Sequence, residues 1–420
     1  MKIRIDPSPL SGTVFPPPSK SQTHRAILAA ALAGGGTVRN AARSQDVDAT
    51  RRCTAALREE GPGLPRLDCG ESGSTLRFLL PVALALRGGG VFTGGGRLME
   101  RPLGPYFDIF DEKGIFYERK DGALTVRGRL APGTYRLPGN VSSQFVTGLL
   151  FALPLLEGDS EIVLTSRLES RGYVFMTLNI LKAFGIQTKW ENNSVLLIPG
   201  RQKYQPCDLT IEADWSQAAF WYAAQGIGSS LTIQGMDNAS IQGDRVILDY
   251  GAMLRGEPPR GGVTVPVWGP AEPCQAQRAP QRPGWRTPCV GNVSLDISHC
   301  PDLAPPLAAW GALLNGALYL ENAARLRLKE SDRLATITAG LKALGAEVYE
   351  EPDRLAIVGK PSLPGGTVDS ANDHRIAMMA AIAASRCTGP VTILGAECVE
   401  KSYPGFWEDY RMLGGKLDVL

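Results

Sequence analysis

The sequence has few of the residues from which metal and redox centres are built. Its eight cysteines include no pair with the two-residue spacing of zinc or dithiol sites, so free cytosolic thiols are expected. Three histidines give no basis for a histidine-rich metal site. No apolar run reaches the ~20 residues that span a bilayer, and the first residues lack the apolar core of a signal peptide. We therefore expect a cytoplasmic protein with no membrane partner.

The chain also lacks an excess of charge. Its 44 lysines and arginines face 42 aspartates and glutamates, so no nucleic-acid partner is expected and any anion site must be built locally. The glycine runs at 34–36, 88–90 and 94–96 accompany neither a Walker phosphate loop nor a dinucleotide-binding context. A length of 420 residues, of which 44% are hydrophobic, predicts a soluble globular chain of two domains.

An internal repeat runs through the chain. In several segments an apolar helical pattern is followed by a glycine and a short alternating strand, as in 178–190 (LNILKAFGIQTKW) and 339–349 (AGLKALGAEVY). A glycine at this place can end a helix in the left-handed conformation. The repeat predicts an α/β unit with several elements per copy, marked by Gly61, Gly114, Gly185, Gly345 and Gly414.

A sixth copy should lie between Gly185 and Gly345, and residues 242–250 (QGDRVILDY) begin one. From 251 to 291 the pattern gives way to proline, glycine and arginine, which predicts a loop or a disordered segment, and regular patterning resumes at Asn292. Two hypotheses stay open for this atypical segment: an insertion, or a local reading-frame error in the parent gene. Resequencing of those codons would decide between them.

A helix start that carries cations is the strongest chemical signal. Residues 18–25 (PSKSQTHR) lead from a proline-rich stretch into an apolar helix, which Ser19 or Ser21 can cap. Lys20 and Arg25 then lie near a helix end with a partial positive charge and unpaired N–H groups, which suits an anion. Taken alone, the segment fits an ordinary capped helix with two solvated cations equally well.

Further segments combine small polar residues or cations with the start of an apolar helix. Each alone also fits a plain cap or a solvated surface pair. Lys329 and Arg333, four residues apart, are expected to share a helix face. Together the segments predict a site for a small molecule with more than one phosphate or carboxylate. They are 71–77 (ESGSTLR), 97–102 (RLMERP), 138–145 (PGNVSSQF), 325–334 (RLRLKESDRL), 372–375 (NDHR) and 400–404 (EKSYP).

With these motifs in this order, residues 1–250 and 292–420 closely resemble the 5-enolpyruvylshikimate-3-phosphate synthase family. The resemblance implies an α/β fold of two similar domains, each of three βαβαββ units, which is the inside-out α/β barrel of enolpyruvyl transferases. The implied reaction moves the enolpyruvyl group of phosphoenolpyruvate to the 5-hydroxyl of shikimate 3-phosphate and releases phosphate. The implied partners are these two small molecules, with no metal or organic cofactor, and the family's usual monomeric state is expected.

The resemblance also implies the domain limits. One domain comprises 1–18 and 213–420, and therefore contains the atypical segment 251–291. The other domain comprises 19–212. The active site is expected in the cleft between them.

Site residues are carried over from the matching motif positions. Asp302 would take the proton of the 5-hydroxyl, Glu330 would protonate the methylene carbon of phosphoenolpyruvate, and Lys20 is counted with them as catalytic. The residues implied to bind phosphoenolpyruvate are Lys20, Gly73, Arg101, Gln144, Arg333, Arg375 and Lys401. The residues implied to bind shikimate 3-phosphate are Lys20, Ser21, Arg25, Ser142, Ser143, Gln144, Ser170, Tyr173, Asp302 and Lys329.

Two departures from the family pattern change the charge near the implied pocket. The turn at 71–74 reads Glu-Ser-Gly-Ser where members often have Asn-Ala/Ser-Gly-Thr, and Arg325 stands where some have Asn, so the response to the phosphonate inhibitor glyphosate stays open. Two alternative functions also stay open. One is an anion-binding homologue whose catalysis the segment 251–291 impairs. The other is UDP-N-acetylglucosamine enolpyruvyl transferase, whose family typically has Lys-Asn where this chain has Lys20-Ser21.

Overall fold

The computed structural model of the chain describes residues 1–59, 61–258 and 289–420. Residues 259–288 make up most of the atypical segment. They lie outside the described residues, and so does most of the loop predicted for that segment.

The described residues form two compact units. Unit 1 comprises Met1–Pro17 and Ala213–Leu420, and unit 2 comprises Pro18–Glu212. Among the helices of the described ranges, none is both long enough and apolar enough to cross a membrane.

Strands and helices alternate along most of the chain. In chain order the strands are β1 (Lys2–Asp6), β2 (Ser11–Val14), β3 (Val38–Arg39), β4 (Arg66–Asp68), β5 (Gly89–Thr93), β6 (Phe116–Lys120), β7 (Ala123–Arg127), β8 (Gly133–Leu137), β9 (Ser160–Leu164), β10 (Lys189–Glu191), β11 (Val195–Ile198), β12 (Leu209–Thr210), β13 (Ser230–Ile233), β14 (Cys289–Asp296), β15 (Asn315–Glu321), β16 (Glu347–Glu350), β17 (Leu355–Val358), β18 (Gly366–Asp369), β19 (Val391–Leu394) and β20 (Lys416–Val419). The α-helices are α1 (Lys20–Ala33), α2 (Gln45–Arg58), α3 (Gly73–Arg87), α4 (Gly104–Lys113), α5 (Ser143–Ala152), α6 (Arg171–Ala183), α7 (Trp215–Gly226), α8 (Ile247–Leu254), α9 (Ala304–Gly311), α10 (Arg333–Ala343), α11 (His374–Ala384) and α12 (Phe406–Met412).

Four sheets share one topology. The strand orders are β4-β5-β7-β6 and β8-β9-β11-β10 in unit 2, and β14-β15-β17-β16 and β18-β19-β1-β20 in unit 1. In each sheet the first two strands are parallel and the other pairs are antiparallel. The amino-terminal strand β1 completes the last sheet because it lies between β19 and β20.

The other two copies of the repeat are smaller within the described residues. In unit 2 the parallel pair β3 and β12 accompanies α1 and α2, and in unit 1 the parallel pair β2 and β13 accompanies α7 and α8. In unit 1 the described residues stop at 258, soon after the end of α8, and resume at 289. Over the described part of the chain, the repeat thus has four copies with four-stranded sheets and two with two-stranded sheets.

The predicted joint of helix, glycine and strand occurs at four of the five glycines. Gly114, Gly185, Gly345 and Gly414 have φ angles of 64°, 80°, 89° and 86° at the ends of helices. This is the left-handed conformation that glycine adopts without steric cost. The prediction at Gly61 is wrong, because α2 ends at Arg58 and the next strand, β4, opens the following copy.

The sixth copy continues further than the sequence pattern indicated. α8 reaches Leu254 because Ala252 and Leu254 extend its buried face, and Gly256 follows with a φ of 72°. At the other edge of the atypical segment, β14 begins at Cys289 rather than at Asn292. The break in the repeat is therefore shorter than the one predicted.

Buried helices form the core of each unit. In unit 1 every residue of α9 and of α11 is buried, and these helices pack on each other and on α7. In unit 2, α3 packs on α5, and the rings of Tyr106 and Phe145 meet edge to face at 4.9 Å. Helices that are apolar on all sides require such burial. The amino ends of these core helices are where many of the predicted site residues lie.

Candidate active site

Three helices of unit 2 begin with a serine cap at a predicted site segment. Ser19, Ser72 and Ser142 have extended backbones, and their hydroxyl oxygens accept hydrogen bonds from N–H groups in the first turns of α1, α3 and α5. Of the two caps considered for α1, Ser19 is therefore the cap, and Ser21 lies inside the helix. Each helix starts at a residue that is predicted to bind a substrate.

Lys20, the first residue of α1, is held by a carboxylate. Its Nζ lies 2.7 Å from Oδ2 of Asp46 on α2, and the two side chains are 15% and 13% exposed. A charge-assisted contact at this distance fixes the ammonium group in place. Asp46 was not among the predicted site residues. Its signal in the sequence is a position in the first turn of α2, two residues after the Ser44 cap.

Arg25 joins α1 to α6. Its guanidinium donates to Oγ1 of Thr177 at 2.8 Å and to the carbonyl oxygens of Ser21 and Tyr173 at 2.7 and 3.2 Å. It also lies over the ring of Phe78, 5.0 Å from the centroid. Burial lowers the pKa of Arg25 to about 10. Three residues predicted to bind shikimate 3-phosphate, Ser21, Arg25 and Tyr173, are thus brought together.

The side-chain amide of Gln144 is oriented from both ends. Its Oε1 accepts a hydrogen bond from Nη1 of Arg77 at 2.7 Å, and its Nε2 donates to Oγ of Ser74 at 2.9 Å. Arg77 itself lies over the ring of Phe145. Arg77 had no predicted role, although the motif 71–77 contains it. The two contacts determine which way the amide points, which matters because its oxygen and nitrogen bind opposite partners.

Gly73 and Arg101 lie in close contact. A Cβ added at position 73 would be 2.6 Å from Nη1 of Arg101 and 3.2 Å from Nη1 of Arg77. The first distance is shorter than such atoms can approach, so a glycine leaves the room that the Arg101 guanidinium occupies. The helix that follows the segment 97–102 is α4, which begins at Gly104, two residues after Pro102.

The remaining predicted residues of unit 2 lie at the starts of two neighbouring helices. Ser142 caps α5, and Ser143 is buried as its first residue. Ser170 directly precedes α6 with a φ of 52°, a conformation that costs a non-glycine residue free energy. All three serines therefore belong to the copy of the repeat that contains β8 to β11.

In unit 1, one guanidinium joins three carboxylates. Arg333 donates from Nε to Asp373 at 2.8 Å, from Nη1 to Asp302 at 2.9 Å and from Nη2 to Glu330 at 2.7 Å. The Arg333 side chain is 1% exposed. Burial alone would lower the pKa of Arg333, but the carboxylates of Asp373, Glu330 and Asp302 raise it above its usual range. The guanidinium therefore stays charged and holds all three groups.

Asp302 is surrounded by cations. Besides Arg333, its Oδ1 has Nζ of Lys329 at 3.2 Å, and its Oδ2 has Nη2 of Arg375 at 3.1 Å. Burial lowers the pKa of Lys329, although the Asp302 carboxylate opposes the decrease. The prediction that Lys329 and Arg333 share a helix face is wrong, because α10 begins at Arg333 and Lys329 follows a short 3-10 helix. Both cations nevertheless reach the same oxygen.

Two further predicted cations, Arg375 and Lys401, are buried in unit 1. Nη2 of Arg375 also donates to Oγ of Ser216 at 2.9 Å, and Nζ of Lys401 donates to the carbonyl oxygen of Asn372 at 2.8 Å. Asp373 caps α11 by accepting from the backbone N–H of Arg375 at 3.0 Å. Neither Ser216 nor Asp373 had a predicted role. For Asp373 the signal was its place in the motif 372–375.

Carboxylates fixed among cations can move protons next to an anionic substrate. The cations favour the binding of phosphate or carboxylate groups, and the carboxylates accept or deliver protons at defined positions. Within residues 1–59, 61–258 and 289–420, no group of three or more histidine, cysteine, aspartate or glutamate side chains is arranged to hold a metal ion. The cations and carboxylates of the described side chains together provide for anion binding and proton transfer.

Comparisons with known proteins point to one family. The family model for EPSP synthase (3-phosphoshikimate 1-carboxyvinyltransferase) matches residues 5–410. The chain is 44% identical over 439 aligned residues to the 3-phosphoshikimate 1-carboxyvinyltransferase of Clostridium kluyveri, which covers 99% of this chain and 98% of that protein. It is 43% identical to the enzyme of the same name from Clostridium acetobutylicum, with 98% and 97% covered.

Solved structures have the same fold. An EPSP synthase from Acinetobacter baumannii superposes with a TM-score of 0.74 at 24% identity over 100% of both chains. The enolpyruvyl transferase NikO from Streptomyces tendae superposes with a TM-score of 0.73 at 18% identity, over 99% of this chain and 98% of that one. At these identities the likeness establishes the enolpyruvyl transferase fold.

Proposed function

Because the chain belongs to the EPSP synthase family, we propose that the side chains described above carry out the reaction of that family. The resemblance found in the sequence and the α/β enolpyruvyl transferase fold are confirmed. The chain is an enolpyruvyl transferase of the shikimate pathway, which leads to chorismate and the aromatic amino acids. This assignment favours shikimate 3-phosphate over a UDP-sugar as the acceptor substrate.

The observation that carries the proposed chemistry is the arrangement around Arg333. Its buried guanidinium holds Asp302 and Glu330 on two different nitrogens, at 2.9 and 2.7 Å. Addition of a hydroxyl to a double bond needs one group to remove a proton and another to deliver one. We assign the first role to Asp302, which takes the 5-hydroxyl proton while that oxygen bonds to C2 of phosphoenolpyruvate. Glu330 delivers a proton to the methylene carbon.

The second step releases phosphate. The Glu330 carboxylate takes a proton back from the new methyl group, the double bond re-forms, and the bond between C2 and the phosphate oxygen breaks with the electron pair leaving on phosphate. Cations stabilise the departing dianion without reorganisation, since their own partners already hold them in place. The residues that we assign to phosphoenolpyruvate are Lys20, Gly73, Arg101, Gln144, Arg333, Arg375 and Lys401.

Shikimate 3-phosphate offers a phosphate, a carboxylate and ring hydroxyls. Serine hydroxyls, the Gln144 amide and the cations of unit 2 suit those groups by charge and by hydrogen-bonding capacity. Several N–H groups of Arg25 already donate to Thr177, Ser21 and Tyr173. Its contribution to substrate binding is therefore mainly its positive charge and the orientation of these neighbours. The residues that we assign to this substrate are Lys20, Ser21, Arg25, Ser142, Ser143, Gln144, Ser170, Tyr173, Asp302 and Lys329.

The proposed setting is a cytoplasmic monomer that acts on small molecules. A net charge of +2 supports the absence of a nucleic-acid partner. No membrane partner is part of the proposal.

Phosphate release tests the function. The purified full chain is given phosphoenolpyruvate and shikimate 3-phosphate, together and singly, and a further sample receives UDP-N-acetylglucosamine as acceptor. Release that needs both substrates and fails with the UDP-sugar is the expected result. No release from a folded protein that still binds both substrates would instead identify a catalytically impaired homologue.

A further inference from the structure

We infer that a buried row of hydrogen-bonded side chains, His24, Thr50, Thr75 and Ser72, positions the start of α3 against the start of α1. We call it the hydroxyl chain. The inference rests on the proposed function, in which Lys20 and Gly73 both contact phosphoenolpyruvate. In this role the four side chains touch no substrate and act as positioning residues.

The hydroxyl chain connects three helices. Nδ1 of His24 on α1 lies 2.6 Å from Oγ1 of Thr50 on α2, which lies 2.7 Å from Oγ1 of Thr75 on α3. Thr75 donates to Oγ of Ser72, the cap of α3, at 2.7 Å. The four residues are between 0% and 2% exposed. A buried polar side chain that loses its hydrogen bond costs free energy. These hydrogen bonds therefore constrain the three helices strongly.

We assign one donor order to the hydroxyl chain. With Thr75 donating its hydroxyl hydrogen to Ser72, Thr50 donates its own to Thr75. His24 then donates from Nδ1 to Thr50, which places the proton of the neutral ring on Nδ1. Burial lowers the pKa of His24 well below its usual range, and the charges of Lys20 and Arg25 lower it further. The ring is therefore neutral at neutral pH, and its single ring N–H is the one on Nδ1 that donates to Thr50.

The hydroxyl chain runs beside the contacts that would hold the substrate. His24 follows Lys20 by one turn of α1, and Thr50 follows Asp46 by one turn of α2. The pair His24 and Thr50 thus lies one turn beyond the ion pair of Lys20 and Asp46, across the same two helices. Thr75 and Ser72 extend this contact to the turn that contains Gly73. A shift of α3 would therefore change the distance between Lys20 and Gly73, the two residues that we propose contact phosphoenolpyruvate.

The test breaks the hydroxyl chain at its middle. In Thr50→Val the side chain keeps almost the same shape and loses its hydroxyl group. Thr54→Val is the matched control. Thr54 is one turn further along α2, is also buried, and donates to carbonyl oxygens of its own helix. We expect Thr50→Val to raise the KM for phosphoenolpyruvate by about tenfold, the effect of one buried hydrogen bond. We expect the KM for phosphoenolpyruvate to change by less than about twofold in Thr54→Val.

Two further variants separate positioning from a general loss of structure. Thr50→Ser keeps the hydroxyl group and should have a KM for phosphoenolpyruvate close to that of the wild type. His24→Asn keeps a hydrogen-bond donor near the position of Nδ1, so it should change this KM less than His24→Leu does. If Thr50→Val proves insoluble, Thr75→Val interrupts the same chain from α3. Equal KM values in Thr50→Val and Thr54→Val at similar melting temperatures would overturn the inference.

A parallel measurement on Lys20→Met keeps the two proposals distinct. A loss of phosphoenolpyruvate affinity in Lys20→Met, together with an unchanged KM in Thr50→Val, would refute the hydroxyl chain alone. Unchanged affinity in Lys20→Met would refute the proposed role of Lys20, on which the inference depends.

Discussion

Oδ2 of Asp373 accepts a hydrogen bond from Nε of Arg333 at 2.8 Å, and both side chains are almost fully buried. Nη2 of Arg333 lies 3.2 Å from the other oxygen of Asp373, so the carboxylate grips one edge of the guanidinium. The opposite nitrogen, Nη1, then faces Asp302. Asp373 thus determines which way Arg333 presents its remaining donors, although no role for Asp373 was predicted from the sequence.

Removal of the Asp373 charge should be costly. Asp373→Asn leaves a buried guanidinium with a neutral partner on that edge, and breaking a buried ion pair costs about 3–5 kcal/mol. Because Asn can still cap α11, we expect the free energy of unfolding in urea to fall by about 3 kcal/mol, the lower end of that range. We also expect a higher KM for phosphoenolpyruvate. The control is Glu350→Gln, which breaks a half-exposed ion pair with Arg327 and should cost less than about 1 kcal/mol. Equal losses in the two variants would contradict the argument.

Loss of the Lys20 ammonium group should weaken phosphoenolpyruvate binding. In Lys20→Met we expect the affinity, measured by calorimetry, to fall roughly tenfold to a hundredfold, since hydrogen bonds to charged groups contribute about 1.5–3 kcal/mol. Lys113→Met is the matched control, because Lys113 is also 15% exposed and lies over the ring of Tyr135. An affinity loss of the same size in Lys113→Met would show a general effect of charge removal.

A methyl group at position 73 should disturb Arg101. In Gly73→Ala the new carbon would overlap Nη1 of Arg101, and the guanidinium must move because its end is the mobile partner. We expect a several-fold higher KM for phosphoenolpyruvate and a change in unfolding free energy of less than about 1 kcal/mol. Gly104→Ala, where an added Cβ meets no atom within 4 Å, should leave the KM unchanged. An unchanged KM in Gly73→Ala would exclude the proposed crowding.

Local patterns explain which parts of the fold could be predicted. The cap at Ser19 and the glycine joints at Gly114 and Gly345 depend on residues a few positions apart, so they can be read directly from the sequence. The prediction at Gly61 was wrong because, in the sequence, a glycine in a loop cannot be distinguished from a glycine at the end of a helix. Asp332 caps α10, and this boundary is why Lys329 is not on that helix.

Long-range pairs explain what could not be predicted. Asp46 lies 26 residues from Lys20, and Asp373 lies 40 residues from Arg333. Each pair forms because separate helices pack side by side, which no spacing in the sequence encodes. The motifs therefore indicated most of the cations at the site, and the fold was needed to find Asp46 and Asp373, two of the carboxylates that orient them.

Glu330→Ala tests the proposed proton donor. Turnover should fall by roughly 10²–10⁴-fold, the usual contribution of general acid catalysis, while phosphoenolpyruvate still binds to the remaining cations. The measurement is kcat from phosphate release together with substrate affinity from calorimetry. Glu351→Ala is the control, since Glu351 pairs with Arg354 across the same three-residue spacing at the surface. Wild-type turnover in Glu330→Ala would rule out the acid role.

The neutral state of His24 predicts a loss of stability in acid. Burial and the neighbouring charges of Lys20 and Arg25 lower the pKa of His24 in the folded chain, whereas the unfolded chain retains the usual value near 6.5. Below about pH 6.5 the unfolded state therefore binds a proton that the folded state does not, so stability falls as the pH decreases. The decrease from this one group reaches at most about 1.4 kcal/mol per pH unit.

His24→Asn isolates that contribution, because all other titrating groups are common to both proteins. Urea unfolding at pH 7 and at pH 5 should show that the wild type loses more stability than His24→Asn over this interval. The difference should disappear above about pH 7, where the histidine is neutral in both the folded and the unfolded state. Parallel pH dependence in the two proteins would mean that the folded chain accommodates a charged ring, and would contradict the neutral state assigned to His24.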